Sequence, residues 1–536
     1  MPDAIVLVGL SGSGKSSVGH ALADRLGRPF IDLDALIEDR TGSTPGAIIE
    51  TEGEARFRVI ESNALGAACA VPGAVLSTGG GAVIDPLNRW ALWGSGTAVW
   101  LDAPDQVLIE RLRRDGTHRP IIGADAAASL LKLRTAREPF YRAADIHIDS
   151  GGPVEAVAEA VAHAVAHHRP TGRRLFDALV TRDHPLGPRT ARILMGRDLD
   201  AAALTSVLQS LSTGVPVVVA DEVAAEALPR LMAALPGERR LSIRAGERGK
   251  RLRSAERLLE AASALGAERG DAWLAVGGGT TGDLVGTAAA LYLRGAPLVQ
   301  VPTTWLAQAD ASIGGKVAVD LAAAKNAAGA FWPPVAVIAD AATLRTLPRA
   351  RLLDGLAESL KSGLIGDPWL WSLIEARGVA ALADDEAARY AMVERAAWLK
   401  LGVVERDPFE RGERRTLNLG HTIGHALEIE SGYRLPHGQA VVLGLRAVMA
   451  IAQARGAETG LADRLDAMLG TLGYALRRRF EPAAVRSALG SDKKRVKGRQ
   501  HWILPMAVGR VIDVDDVTDA ELELALRRVS TDGDER

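Results

Sequence analysis

The sequence predicts a multidomain α/β protein in three regions. A parallel sheet with helices on both faces comes first, then a second α/β region, then a mostly helical one. Three observations carry this. Continuous apolar runs that end in glycine-rich turns alternate with amphipathic segments over the first ~165 residues and again from about 175. The stretch 167–174, HHRPTGRR, has the polar Pro/Gly character of a linker. After about residue 346 the strand signals fade. A length of 536 residues fits, since one domain takes roughly 100–200 residues.

Composition narrows the class. Hydrophobic residues make up 47% and charged residues 24%, so the chain is neither disordered nor fibrous. Basic and acidic residues balance at 64 against 66, which speaks against a nucleic-acid partner. The single cysteine, Cys69, excludes an intrachain disulfide and a cysteine-rich metal site. No charged-then-apolar leader and no run of ~18 apolar residues is present, so no membrane association and a cytoplasmic location are expected. Only ten of the 64 basic residues are lysines, and most fall within the motifs below. A compact ammonium is hard to replace by a planar guanidinium where one phosphate oxygen or one proton must be met.

In the first region, AIVLVGL (4–10) reads as a buried strand, followed by a Gly/Ser loop and the helix SSVGHALADRL. RPFIDLD, AVLSTGG, TAVWLD and ADIHID are further strands, and 153–168 is a closing helix. Gly9-Leu-Ser-Gly-Ser-Gly14-Lys15-Ser16 matches G-x4-G-K-[ST] between strand and helix, a phosphate-binding loop. Gly12, Ser13, Gly14, Lys15, Ser16 and Ser17 are thus candidates for holding a nucleoside triphosphate, with Lys15 on the β- and γ-phosphates and Ser16 on Mg²⁺. The loop does not say what receives the phosphate; the next clues lie in Asp32-Leu-Asp34, Gly53-Glu-Ala-Arg56-Phe-Arg58, Ser77-Thr-Gly79-Gly80-Gly81, Thr117-His-Arg119-Pro120 and RTAREPFY. In that order, over nearly all of 1–165, these motifs resemble shikimate kinase. The resemblance implies Asp32 beside Mg²⁺, and Asp34, Arg58 and Arg137 on shikimate with Gly80 beside its ring. It also implies that Arg119 closes over the phosphates with a lid. Kinases of the same fold for gluconate or nucleotides are the competing reading.

In the second region, ALVTRDHPLGPRTARILMG suggests a hairpin, and VPVVVAD (215–221) a strand ending in an acid, Asp221, suited to a ribose hydroxyl. DAWLAVGGG runs into Gly277-Gly-Gly279-Thr-Thr-Gly282-Asp283, a strand-turn-helix signal of Rossmann-like character, although the spacing is not GxGxxG. PTTWLAQADASIGGK, Lys325-Asn326, AESLK, LNLGHTIGHALE, His437-Gly and Asp492-Lys493-Lys494 follow. His421 and His425, spaced i, i+4 on a helix, would by spacing alone be selected as Zn²⁺ ligands. Histidines that merely pair within a helical core are the plainer alternative.

Taken together, 175–520 resembles 3-dehydroquinate synthase. That resemblance changes the ligand set to Glu358, His421 and His437, and puts His425 on the substrate and phosphate side. It implies NAD⁺ held by Glu247, Lys250, Gly278, Gly279, Asp283, Thr303, Thr304, Lys316, Lys325 and Thr346. It implies a substrate site lined by Asp310, Lys316, Asn326, Lys361, Lys400, Arg414, Asn418 and Lys494. Arg294 would enter from the partner subunit of a homodimer. Trp305 and the residue after Lys361, a serine, depart from the family pattern. The implied chain is bifunctional: ATP- and Mg²⁺-dependent phosphorylation of shikimate, and NAD- and Zn²⁺- (or Co²⁺-) dependent conversion of 3-deoxy-D-arabino-heptulosonate 7-phosphate to 3-dehydroquinate and phosphate. Its regions would be 1–168, a linker 169–174, an NAD-binding region 175–345 and a helical metal region 346–536. Another sugar-phosphate cyclase, a metal-dependent polyol dehydrogenase, or a first half that only regulates are the alternatives.

Overall fold

A computed structural model describes residues 4–115, 126–168, 173–182, 189–211, 214–244, 246–321, 324–490 and 500–531. Arg119, Lys494 and residues 169–172 of the expected linker lie outside the described residues. The chain forms two compact units, one made largely of 1–179 and the other largely of 207–536.

In the first unit, strands β1 (Ala4–Val8), β2 (Phe30–Asp32), β3 (Val75–Ser77), β4 (Gly96–Asp102) and β5 (Ile146–Asp149) form one sheet in the order β2-β3-β1-β4-β5. Every pairing in it is parallel. These are the five strands read from the apolar runs. The central β1 is buried at every position, which is why it reads as an unbroken hydrophobic run. Ile5, Leu7, Val99 and Leu101 pack against Val18 and Leu22 of the helix Lys15–Leu26 and Val157 and Val161 of the helix Val154–His167. The loop after β1 lies tight against β4: a methyl on Gly9, whose φ is +147°, would stand 2.3 Å from the Leu101 carbonyl oxygen.

The second unit is built on a sheet of the same kind. Strands β6 (Arg173–Arg182) and β7 (Arg189–Arg197), hydrogen-bonded neighbours as the hairpin reading has it, are each divided between the two units. Then come β8 (Val217–Asp221), β9 (Arg240–Ile243), β10 (Trp273–Gly277) and β11 (Leu298–Pro302). An antiparallel hairpin, β12 (Lys316–Leu321) and β13 (Ala324–Phe331), precedes β14 (Ala336–Asp340). The order β14-β11-β10-β8-β9 is parallel throughout. The carboxyl ends of β8, β10 and β11 therefore open side by side, where parallel sheets place their ligands.

The region after 346 is mostly helical but not wholly so. A hairpin, β15 (Trp502–Ala507) and β16 (Arg510–Val514), was not visible in the sequence. β16 is half exposed, so its alternation of apolar and polar residues is weak. Among the helices, Arg349–Gly366, Glu386–Arg406, His421–Glu430 and His437–Ala454 matter most. The last two touch backbone to backbone. A methyl on Gly444 would lie 1.8 Å from the Gly420 carbonyl oxygen, and one on Gly424 2.9 Å from that of Ala440. Only glycines allow that approach, and it brings His421 and His437 together at the ends of their helices. Among the described residues, no helix is long and apolar enough to cross a membrane.

Candidate active sites

In the first unit the helix Lys15–Leu26 starts at Gly14, in the left-handed conformation (φ 88°), without a side-chain cap. Its first-turn N–H groups are left for an anion. Lys15 is buried and donates to the carbonyl oxygens of Gly9 and Leu10, both at 2.9 Å, poised over the loop that would cradle phosphate. The Ser16 hydroxyl donates to Asp32 Oδ2 at 2.5 Å. The other Asp32 oxygen caps the next helix through Asp34 N–H at 3.0 Å. Ser16 and Asp32 thus pair an alcohol and a carboxylate at the loop mouth, the oxygen donors a Mg²⁺ ion takes. Ser13 is buried and Ser17 exposed in the same turn. Arg111, not singled out from the sequence, donates to the Gly12 carbonyl at 3.4 Å.

Gly79, Gly80 and Gly81 form a strip along which the acceptor candidates line up. A methyl on Gly79 would lie 3.2 Å from Asp34 Oδ1, one on Gly80 3.3 Å from Arg137 Nη1, and one on Gly81 2.6 Å from Arg58 Nη2. The structure brings Asp34, Arg58 and Arg137 around one floor. Arg137 is buried and its Nε has no hydrogen-bond partner among the described residues. The Tyr141 hydroxyl donates to the Gly80 carbonyl, and burial pushes that phenol up to about 12. Sequence reasoning missed Glu61. It is buried, accepts from Arg58 Nη1 at 2.7 Å, and burial raises its carboxyl. Its i+3 spacing from Arg58 on the helix Glu54–Cys69 was the available signal.

In the second unit the helix Gly279–Leu291 also starts at a glycine, Gly278, without a side-chain cap. Thr303 N–H donates to the Gly277 carbonyl at 2.9 Å, holding the ends of β10 and β11 together. The Thr304 hydroxyl caps the following turn through Ala307 N–H at 3.2 Å. Asp221 caps a short helix through Val223 N–H, and Thr346 donates to the Thr343 carbonyl at 2.9 Å. Beside the turn, buried Lys250 ion-pairs with Asp283 and donates to Asn326 Oδ1 at 2.5 Å. Lys325 pairs with Glu247 at 2.7 Å. The structure thus gathers Glu247, Lys250, Asp283, Lys325 and Asn326 by the glycine turn.

A buried ionic chain lies on the helical side. Glu358 and Lys361 are one turn apart on Arg349–Gly366 and pair directly. Lys361 Nζ lies 3.9 Å from Asp310 Oδ1, and Lys400 Nζ lies 3.0 Å from the same oxygen. Asp310 sits on a single π-helical turn, Ala307–Ala311, a feature frequent at functional sites. Burial pushes the Asp310 carboxyl up, but Lys400 and Lys361 outweigh it and hold it below the usual range. Burial lowers the Lys400 ammonium, with Lys361 and Arg414 adding to it.

Glu358, His421 and His437 offer ligand atoms all within 4.8 Å of one another. Glu358 Oε1 stands 3.1 Å from His437 Nε2 and 3.3 Å from His421 Nε2. Burial and Lys361 push His421 below its usual value. Burial would also lower His437, but its contacts with Glu358 and Glu428 push it up to about 10. A carboxylate with two imidazoles fits Zn²⁺ or Co²⁺ with a position open. His425, the spacing-based choice, lies 4.0 Å from Glu428 Oε2 instead.

Lys316 pairs with Glu410, which also accepts from Asn418 Nδ2 at 2.9 Å. Buried Arg414 donates to the Gly314 carbonyl at 3.0 Å. Glu410 and Glu428 were both missed from the sequence. Glu428 could have been found from its helical spacing to His421 and His425. Glu410 could not, since its left-handed backbone (φ 58°) and its partner 94 residues away leave no local signal. Arg294 is exposed and has no hydrogen-bond or ion-pair partner among the described residues.

Comparison with known proteins adds three matches along the chain. The shikimate kinase family pattern matches 11–166, the 3-dehydroquinate synthase N-terminal pattern 240–354 and its C-terminal pattern 355–495. A 3-dehydroquinate synthase from Xanthomonas campestris pv. campestris is 40% identical over 347 residues, covering 62% of this chain and 90% of the relative. A 2-epi-valiolone synthase from Actinosynnema mirum is 38% identical over 66% of this chain and 94% of its own. Among solved structures, ValA, a 2-epi-5-epi-valiolone synthase from Streptomyces hygroscopicus with NAD⁺ and Zn²⁺ bound, aligns with a TM-score of 0.58 at 29% identity, covering 63% of this chain and 95% of that one. A 2-deoxy-scyllo-inosose synthase with carbaglucose-6-phosphate, NAD⁺ and Co²⁺ aligns with a TM-score of 0.56 at 26% identity, covering 62% and 94%.

Proposed function

Because the chain belongs to the 3-dehydroquinate synthase family and carries a shikimate kinase region ahead of it, we propose specific roles for the residues of each site. The protein is a bifunctional shikimate-pathway enzyme. In the kinase half, the loop amides and Lys15 bind the phosphates of ATP, and Ser16 with Asp32 holds Mg²⁺. Arg58 and Arg137 take the carboxylate of shikimate over the glycine strip. Asp34 orients the attacking hydroxyl and receives its proton. Glu61 holds Arg58 in place, and Arg119 closes the phosphate side.

In the synthase half, the glycine turn with Asp221, Glu247, Lys250, Asp283, Thr303, Thr304, Lys316, Lys325 and Thr346 holds NAD⁺. Glu358, His421 and His437 hold Zn²⁺ or Co²⁺. Bound there, the metal polarises a substrate hydroxyl and the nicotinamide exchanges a hydride with the same carbon. Asp310, Lys361 and Lys400 orient the hydroxyls of 3-deoxy-D-arabino-heptulosonate 7-phosphate. Lys316, Asn326, Arg414, Asn418, His425 and Lys494 bind its anionic groups and stabilise the charge that develops on elimination of phosphate. A homodimer belongs to this reading, with Arg294 reaching the partner's site. Leu293 and Arg294 both hold left-handed backbone, at φ 45° and 67°, a strain that marks functional segments, and Leu291 and Leu293 are exposed apolar neighbours. The region boundaries 1–168, 175–345 and 346–536 and a cytoplasmic setting complete it.

The observation that carries the proposal is the convergence of Glu358, His421 and His437 next to the buried Lys361–Asp310–Lys400 chain. The test supplies the purified protein separately with shikimate plus ATP and with the heptulosonate phosphate plus NAD⁺, following ADP and phosphate. Absence of phosphate release from the second substrate overturns the synthase roles. Turnover of another seven-carbon sugar phosphate in its place would favour a different cyclase, the reading the valiolone synthase relative supports.

A further inference from the structure

Glu428 has no role in the preceding assignments, yet it is buried within the metal side of the synthase unit. It shares the helix His421–Glu430 with His421 and His425, seven and three residues before it, so all three fall on one face. Its Oε1 stands 3.4 Å from His437 Nδ1 and 3.8 Å from Lys325 Nζ. The opposite nitrogen, His437 Nε2, stands 3.1 Å from Glu358 Oε1, on the side where the three ligand atoms converge. Lys325 reaches in the other direction to Glu247, at 2.7 Å, and Glu247 lies 3.5 Å from the Thr280 hydroxyl of the glycine turn.

We propose that Glu428 is the positioning carboxylate of the metal ligand His437, and that Lys325 ties it to Glu247 at the dinucleotide turn. By accepting the Nδ1–H, Glu428 fixes the tautomer in which the Nε2 lone pair points at the metal. A ligating imidazole needs such a partner on its other nitrogen. Lys325 keeps the buried carboxylate charged and in register, so one side chain contacts both the metal's supporting group and the cofactor's. The inference rests on Glu358, His421 and His437 being the ligands. A rival exists on the same atoms: His425, Glu428 and His437 also offer ligand atoms within 4.8 Å, a second cation site with His437 as bridge. The Lys325 ammonium, 3.8 Å from Glu428 Oε1, already sets a positive charge beside that carboxylate, which argues for the positioning role.

The test uses the full-length protein without NAD⁺, reading zinc affinity by chelator competition, zinc content by elemental analysis and the visible spectrum of the cobalt-loaded form. H437A should retain no tightly bound metal. E428A should bind one equivalent about 10–100-fold more weakly, with a changed cobalt spectrum. E428Q should fall between, because its amide oxygen still accepts from Nδ1–H but loses Lys325. It carries the test if E428A does not accumulate. K325M should weaken zinc several-fold although it touches no ligand. Wild-type affinity and spectrum in the Glu428 variants, or two equivalents of zinc in the unmodified protein, overturn the proposal. Unchanged zinc in H437A overturns instead the ligand assignment beneath it.

Discussion

Replacing Lys361 by methionine keeps the length of the side chain and removes its charge. Lys361 is only 2% exposed and stands between two buried carboxylates, paired with Glu358 and 3.9 Å from Asp310. Asp310 keeps Lys400 at 3.0 Å, so the loss falls mainly on Glu358. Removing one partner of a buried pair costs about 3–5 kcal/mol, because the other charge is left uncompensated. At about 2 °C per kcal/mol for a large unit, the metal-free synthase unit should melt on the order of 6–10 °C lower. The pH dependence has a definite sign. Burial pushes the Glu358 carboxyl up, but Lys361 and His421 hold it well below the usual range. Its contribution is therefore present above the unfolded value of about 4.3 and is lost as pH falls through the folded value. Without Lys361 the folded value rises, so the deficit is largest at neutral pH and shrinks on acidification. Zinc supplies positive charge beside Glu358 and should recover part of the loss. Scanning calorimetry of chelated and zinc-loaded protein measures both. A chelated variant melting within ~1 °C of wild type would refute the reasoning, since a buried carboxylate that loses its lysine and keeps only its two histidine contacts cannot be that cheap.

Lys15→Ala should lower ATP-dependent phosphorylation of shikimate by at least ~10²-fold and leave phosphate release from the heptulosonate phosphate near wild type. Steady-state assays of both reactions on one preparation check this, and loss of both in a folded variant counts against independent units. Gly81→Ala places a methyl 2.6 Å from Arg58 Nη2, so KM for shikimate should rise several-fold while KM for ATP holds; equal changes in both would sink the acceptor-floor reading. His437→Ala should abolish dehydroquinate formation while kinase activity persists, as read by coupled assays on the same sample. Mixing inactive Arg294→Ala and Lys361→Ala chains, after dissociation and reassociation, should restore about a quarter of wild-type synthase turnover. Half the dimers are mixed and each holds one intact site of two. Zero recovery with exchange confirmed places Arg294 outside the partner's site.

The amino-acid sequence by itself determined the features that are local in the chain. The phosphate loop is legible because its glycines must adopt backbone angles that other residues resist, at the junction of an apolar strand and a helix. The central strands β1, β3 and β4 of the first sheet are legible because parallel strands buried on both faces read as apolar runs. His421 and His425 share a helix face by spacing alone, and the same spacing puts Glu428 on that face. Tertiary structure alone decided which of these groups meet. Glu358 and His437 are 79 residues apart, Lys400 and Asp310 90, and Lys316 and Glu410 94. No periodicity reaches over such distances. Their meeting depends on two helices closing backbone to backbone at Gly424 and Gly444, and on the π-helical turn that carries Asp310. A buried charge persists only where an opposite charge is brought to it, and packing, which is non-local, selects the partner.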